Sequence, residues 1–181
     1  MLIKICGVKD LSTAIFAIKA GAGALGFVFT HSKREITPQK AKKIIQNLPN
    51  KADIVKVGVF VDAPISLVTE IAEYCGLDIL QFHGTESVNY CQKFQKPVIK
   101  AIKVGEKGNL FPHPLKYKGK VKAYLTDTYL KGVAGGTGLS FPWDKIDKIK
   151  DCGPVILAGG LNPGNIYQAL NITNPYGVDV S

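Results

Sequence analysis

A cysteine ends the first β-branched run of the chain, Leu2-Ile3-Lys4-Ile5-Cys6, and a glycine follows at once. A thiol delivered to a strand end can act as a base when its surroundings favour the thiolate, although alone such a residue is more often buried filler. Asp127 follows another apolar run, Val121–Thr126. Aspartate commonly opens a turn, but facing a thiol across a cleft it would complete an acid–base pair. His83 closes the run in Gln81-Phe82-His83-Gly84, where a lone imidazole usually serves structure. Arg34, in Ser32-Lys33-Arg34-Glu35-Ile36, can fork onto a carboxylate.

Two glycine-rich stretches suggest anion binding. Ala158-Gly159-Gly160-Leu161-Asn162-Pro163-Gly164-Asn165 leads from a buried run into an Asn-Pro helix start, an arrangement suited to phosphate on backbone amides. Gly132-Val133-Ala134-Gly135-Gly136-Thr137-Gly138 also lets backbone N–H groups approach an anion closely, but it lacks the ending of a P-loop. Gly21-Ala22-Gly23-Ala24-Leu25-Gly26 matches a dinucleotide fingerprint only by letter. A helix precedes it and a strand follows, the reverse of what pyrophosphate binding needs, so it reads as a helix stop and turn.

The elements that must position these residues alternate. Strands are expected at Leu2–Cys6, Ala24–Phe29, Val55–Val61, Leu77–Phe82, Pro97–Val104, Val121–Thr126, Pro154–Ala158 and Tyr176–Val180. Helices are expected between them: one capped by Asp10, then Pro38–Asn47, Pro64 to Tyr74, Thr85–Phe94, Pro142 to Lys150, and Asn162 to Leu170. Gly105 to Gly119, with Pro112 and Pro114 inside, reads as a loop or degenerate helix. Strands that are apolar throughout are buried on both faces, which points to a parallel sheet wrapped in helices. An open doubly wound sheet and a (β/α)8 barrel both fit, and eight strands with even unit lengths favour the TIM barrel. Residues 1–181 are expected to form a single barrel domain lacking its eighth helix, since barrels of this kind rarely run below about 200 residues.

Composition sets limits. The 181 residues carry a net charge of +9, are 46% hydrophobic and 20% charged. That charge suits a soluble surface and an anionic small molecule. No nucleic-acid motif and no membrane span is evident. The absence of a leader and the scattered Cys6, Cys75, Cys91 and Cys152 point to the cytoplasm, with neither a disulfide framework nor a metal site.

Taken together, Lys4-Ile5-Cys6-Gly7, Ser32-Lys33-Arg34, Gln81-Phe82-His83-Gly84, Asp127, Gly135-Gly136-Thr137-Gly138 with Phe141 and Trp143, Leu157-Ala158-Gly159-Gly160-Leu161 and Gly177-Val178-Asp179-Val180-Ser181 resemble the phosphoribosylanthranilate isomerase family of tryptophan biosynthesis. The resemblance implies an Amadori rearrangement of a phosphorylated small molecule without metal or organic cofactor, in a monomer or homodimer. It implies Cys6 as general base, Asp127 as general acid and Arg34 on the anthranilate carboxylate. Gly136, Gly159, Gly160 and Ser181 would hold the phosphate, with His83 and Asp179 in support. Pro142 stands where the family usually has Asp, and the family pattern continues past Ser181. A barrel that binds a phosphorylated ligand or a partner without catalysis is the alternative. Other phosphosugar barrels share only the phosphate loops.

Overall fold

The structure, a computed structural model, describes residues 1–49, 53–105, 108–129 and 146–181, excepting the side chains of Thr128 and Tyr129. Nine strands are present among these residues: β1 (Leu2–Cys6), β2 (Ala24–Val28), β3 (Val55–Phe60), β4 (Ile79–Phe82), β5 (Val98–Gly105), β6 (Leu110–Phe111), β7 (Ala123–Tyr129), β8 (Val155–Leu157) and β9 (Gly177–Val180). They alternate with α1 (Leu11–Lys19), α2 (Pro38–Gln46), α3 (Ile65–Cys75), α4 (Val88–Cys91), α5 (Asp147–Lys150) and α6 (Ile166–Thr173).

Eight of the strands close into a parallel ring. The order β4-β3-β2-β1-β9-β8-β7-β5 is completed by pairing of β4 with β5. This is the expected TIM barrel, and β6 is an antiparallel appendage on the end of β5. Closure follows from the buried strand sequences, because a parallel sheet with no free edge leaves no backbone group unpaired at its sides.

Strand alternation divides the side chains into two sets. A small cluster that includes Ala24, Val57, Ala101 and Leu125 fills the barrel floor. The larger cluster, with Phe27, Phe60, Phe82 and Leu157, packs between strands and helices. The strands are not wholly apolar, since Lys4, Gln81, Lys100, Thr126 and Asp179 are all buried within them.

The helix starts follow local chemistry. Asp10 accepts from Thr13 N at 2.8 Å to cap α1, and Thr37 with Pro38 opens α2. Gly76, at φ 66°, ends α3 in the left-handed conformation. Gly21, at φ 96°, turns the chain from α1 toward β2, so the glycine run there is the stop and turn its order suggested.

Several boundaries differ from expectation. The helix expected over Thr85–Phe94 is one turn, Val88–Cys91. Glu86 explains this. Its carboxylate accepts from Gly84 N and Asp62 N and pairs with Lys100 Nζ at 2.9 Å, which holds residues 84–86 in a loop. Gly105 to Gly119 contains β6 and a 3-10 turn at Pro114–Tyr117, because its prolines exclude an α-helix. α6 begins at Ile166 rather than Asn162, whose side chain instead accepts from Gly164 N at 2.9 Å in a turn. Asp127 lies within β7, which runs two residues further to Tyr129. Of the helix expected from Pro142, only Asp147–Lys150 falls among the described residues.

Candidate active site

The first and last barrel strands meet with Lys4 in register with Asp179. Lys4 Nζ donates to Asp179 Oδ1 at 2.8 Å, and both side chains are buried. Burial works against the ammonium, but Asp179 and Cys6 more than offset it, so Lys4 is held above its ordinary value. Burial also pushes the Asp179 carboxyl up, against the pull of Lys4.

Cys6 lies two residues beyond Lys4 on the same face of β1, opposite Gly26 of β2. A Cβ built on Gly26 would stand 2.7 Å from Cys6 Sγ and 3.1 Å from Lys4 Nζ, so thiol and ammonium crowd the same point. Gly26→Ala is therefore expected to displace the thiol and lower kcat/KM at least about tenfold, with about 1–3 kcal/mol of destabilisation from overpacking. Steady-state kinetics and thermal melts check this together. Wild-type kinetics in the variant would show that the space is not needed.

A cysteine base is favoured by electropositive surroundings. Lys4 and Arg34 do pull the thiol down, but burial is the largest influence and Asp179 adds to it, so the net direction is up.

Asp127, at the upper end of β7, meets His83 just beyond β4. His83 Nε2 and Asp127 Oδ2 are 3.0 Å apart and each side chain is about one-quarter exposed. Gln81 Nε2 lies 3.2 Å from His83 Nδ1. Asp179 feels the charges of both Asp127 and His83, as Cys6 feels that of Asp179. The Asp179 carboxyl thus acts electrostatically on the Cys6 half of the expected acid–base pair and is acted on by the Asp127 half.

Arg34 is half-buried on the loop after β2, and its aliphatic stem covers Gly7. Gly7 adopts φ 84°, and a side chain there would collide with the arginine. Gly159 and Gly160, just past β8, take φ 90° and 68°. The carbonyl of Gly160 accepts from Asn162 Nδ2 at 3.2 Å and Asn165 Nδ2 at 2.8 Å, which fixes the loop. Ser181 follows β9 and is exposed. Cys6, Arg34, His83, Asp127, Gly159, Gly160 and Ser181 thus lie at the end of the barrel where strands run out, and Asp179 sits among them beside Lys4. Gly136, with Gly135, Thr137, Gly138, Phe141, Pro142 and Trp143, lies outside the described residues.

Residue-by-residue reading of the sequence gave no weight to Gln81 or Gly26. Period-two spacing from His83 was the available signal for Gln81. Nothing short of the β1–β2 register could single out Gly26.

The sequence model of the family described as PRAI, N-(5'phosphoribosyl)anthranilate (PRA) isomerase, matches residues 3–181. The chain belongs to this family. An N-(5'-phosphoribosyl)anthranilate isomerase from Desulforudis audaxviator is 48% identical over 187 residues, covering 99% of this chain and 87% of the relative. Among solved structures, one described as monomers of a dimeric phosphoribosylanthranilate isomerase from Thermotoga maritima superposes with a TM-score of 0.84 at 34% identity, covering 100% of this chain and 87% of the other. A phosphoribosyl anthranilate isomerase in complex with reduced 1-(o-carboxyphenylamino)-1-deoxyribulose 5-phosphate gives 0.84 at 35% identity, with the same coverage. The PRA isomerase family thus accounts for the barrel and for the order of the motifs along it.

Proposed function

We propose that the chain catalyses the reaction named for its family, conversion of N-(5-phosphoribosyl)anthranilate to 1-(2-carboxyphenylamino)-1-deoxyribulose 5-phosphate in tryptophan biosynthesis. Asp127 is the general acid and Cys6 the general base. Asp127 protonates the furanose ring oxygen as the C1–O bond breaks, and the anthranilate nitrogen lone pair forms the C=N bond of a Schiff base. The Cys6 thiolate removes the C2 proton, and those electrons form the C1=C2 bond of an enolamine. Protonation at C1 and loss of the enol proton give the ketone, so no atom or electron is gained overall.

The observation that supports this reading is that Cys6, beside the buried Lys4–Asp179 pair, and the Asp127–His83 pair stand at the same end of the closed barrel. A substrate anionic at both ends suits the basic chain. Arg34 is proposed to pair with the anthranilate carboxylate, and Gly159, Gly160, Ser181 and Gly136 to bind the phosphate, with His83 and Asp179 supporting. These steps draw only on the chain's own side chains. Residues 1–181 act as one domain, without nucleic-acid partners, as a monomer or as a homodimer of the kind described for the T. maritima relative. Its four unpaired cysteines suit the reducing cytoplasm.

The test is to generate the substrate in situ and follow its anthranilate fluorescence. Purified chain is expected to remove the signal far faster than buffer alone, with one product formed per substrate consumed. Decay at the buffer rate would overturn the reading.

A further inference from the structure

Two hydrogen bonds in series run from the barrel interior to the expected acid, and only one polar atom among the three side chains is stranded. Gln81 is 1% exposed on the lumenal face of β4. Its amide nitrogen lies 3.2 Å from His83 Nδ1, and His83 Nε2 lies 3.0 Å from Asp127 Oδ2. Gln81 Oε1 is buried and has no hydrogen-bond partner among the described residues.

An amide nitrogen donates and cannot accept, so with the amide in this orientation Nδ1 presents its lone pair and the imidazole carries its hydrogen on Nε2. Nε2–H then donates to Asp127 Oδ2. A proton that Asp127 hands to a substrate must accordingly sit on Oδ1, the oxygen His83 does not engage. With the amide turned over, Oε1 would demand a hydrogen on Nδ1. Nε2 would then face Asp127 with a lone pair, and the carboxyl proton would be drawn to Oδ2, toward the imidazole and away from the ring oxygen of a substrate. The two amide orientations therefore make opposite statements about where the transferable proton sits.

We propose that Gln81 is a positioning residue that holds His83 as the Nε2–H tautomer and so directs the transferable proton of Asp127 onto Oδ1. Gln81 touches no reacting atom; it acts through His83. The direction of the proton rests on the acid role of Asp127, whereas the tautomer assignment does not.

The test uses the full chain labelled with 15N, at about pH 8, above the ordinary imidazole range. The chain has three histidines, His31, His83 and His113, so comparison with His83→Gln assigns the His83 ring. Two-bond 1H–15N correlations are expected to show the hydrogen on Nε2 in the wild type. Gln81→Glu, whose carboxylate can only accept at neutral pH, is expected to place a hydrogen on Nδ1 and to lower kcat at least about tenfold while KM stays within about twofold. Gln81→Met keeps the shape without the donor and is expected to give a mixture of tautomers, which keeps the measurement decisive if the glutamate variant does not fold. A wild-type hydrogen on Nδ1, or one tautomer common to all three proteins, overturns the proposal. Should the tautomer switch with kcat unchanged, the directing role falls. Should Asp127→Asn keep full activity while His83 shows the expected tautomer, it is the acid assignment that falls and the Gln81 contact that stands.

Discussion

Asp127→Asn is expected to lower kcat/KM by about 10²–10⁴-fold, the range a positioned general acid supplies. The amide keeps the size of the carboxyl and can still accept from His83 Nε2, 3.0 Å away in the wild type, so the barrel should stay intact. On the proposed roles, what is lost is the proton for the ring oxygen. Without it the sugar would not open, and Cys6 would have no activated C2–H to attack. Cys6→Ser is expected to fall as far for a different reason, since a serine hydroxyl is a far weaker acid than a thiol. The pH profile separates the two roles. On its proposed role Cys6 acts as its thiolate, and burial pushes that thiol up. In Asp127→Asn, where no carboxyl acid titrates against the thiol, the residual kcat/KM should therefore keep climbing through and beyond the ordinary cysteine value of about 8.5. A residual profile flat from neutrality to pH 9 would remove Cys6 from the base role, and full activity in Asp127→Asn would remove Asp127 from the acid role.

Lys4→Met is expected to destabilise the fold by about 3–5 kcal/mol, because it leaves the buried Asp179 carboxylate without its 2.8 Å partner. For a chain of this size that is a loss of about 6–20 °C in the melting temperature. Burial already pushes Asp179 up, and with Lys4 gone the carboxyl is expected to take up a proton. The alkaline side of the stability curve gives the sign. Lys4 sits above its ordinary value in the fold, so its contribution is fully present below the unfolded value, about 10.4, and is lost as pH rises through the folded one. Lys4→Met should lack that alkaline loss. In the Asp127→Asn background it should also shift the acid limb of the residual kcat/KM to higher pH, since Lys4 is the strongest influence holding the Cys6 thiol down. Chemical denaturation across pH, beside kinetics, checks both. A variant as stable as the wild type with an unmoved limb would show that the pair matters to neither stability nor the thiol.

The barrel was legible because its strands are short apolar runs closed by Gly, Pro and Asp, and these features are local. The helix after β4 was misjudged because Glu86 looks like an ordinary helix residue until Lys100, fourteen positions on, is seen to hold it. The same limit applied at the site. Cys6 and Asp127 stood out by type and position at strand ends, and alternation along β1 put Lys4 on the face of Cys6. The partnership of Lys4 with Asp179 and the room made by Gly26 depend on inter-strand register, which no single segment encodes. The upward push on the Cys6 thiol is hidden from the sequence for a related reason. Charge can be counted along a sequence, whereas the burial that outweighs it belongs to the closed barrel.

The ion pair between Lys4 and Asp179 joins residues 175 positions apart. So distant a contact closes a long loop, which carries an entropic cost and is slow to form. Much of the helix–strand layer can assemble from neighbouring units as the chain emerges from the ribosome. The surroundings of the Cys6 thiol cannot, because Asp179 is added 175 positions after Lys4. Catalysis by this protein therefore reports barrel closure, while far-ultraviolet ellipticity reports only the helices and strands already in place.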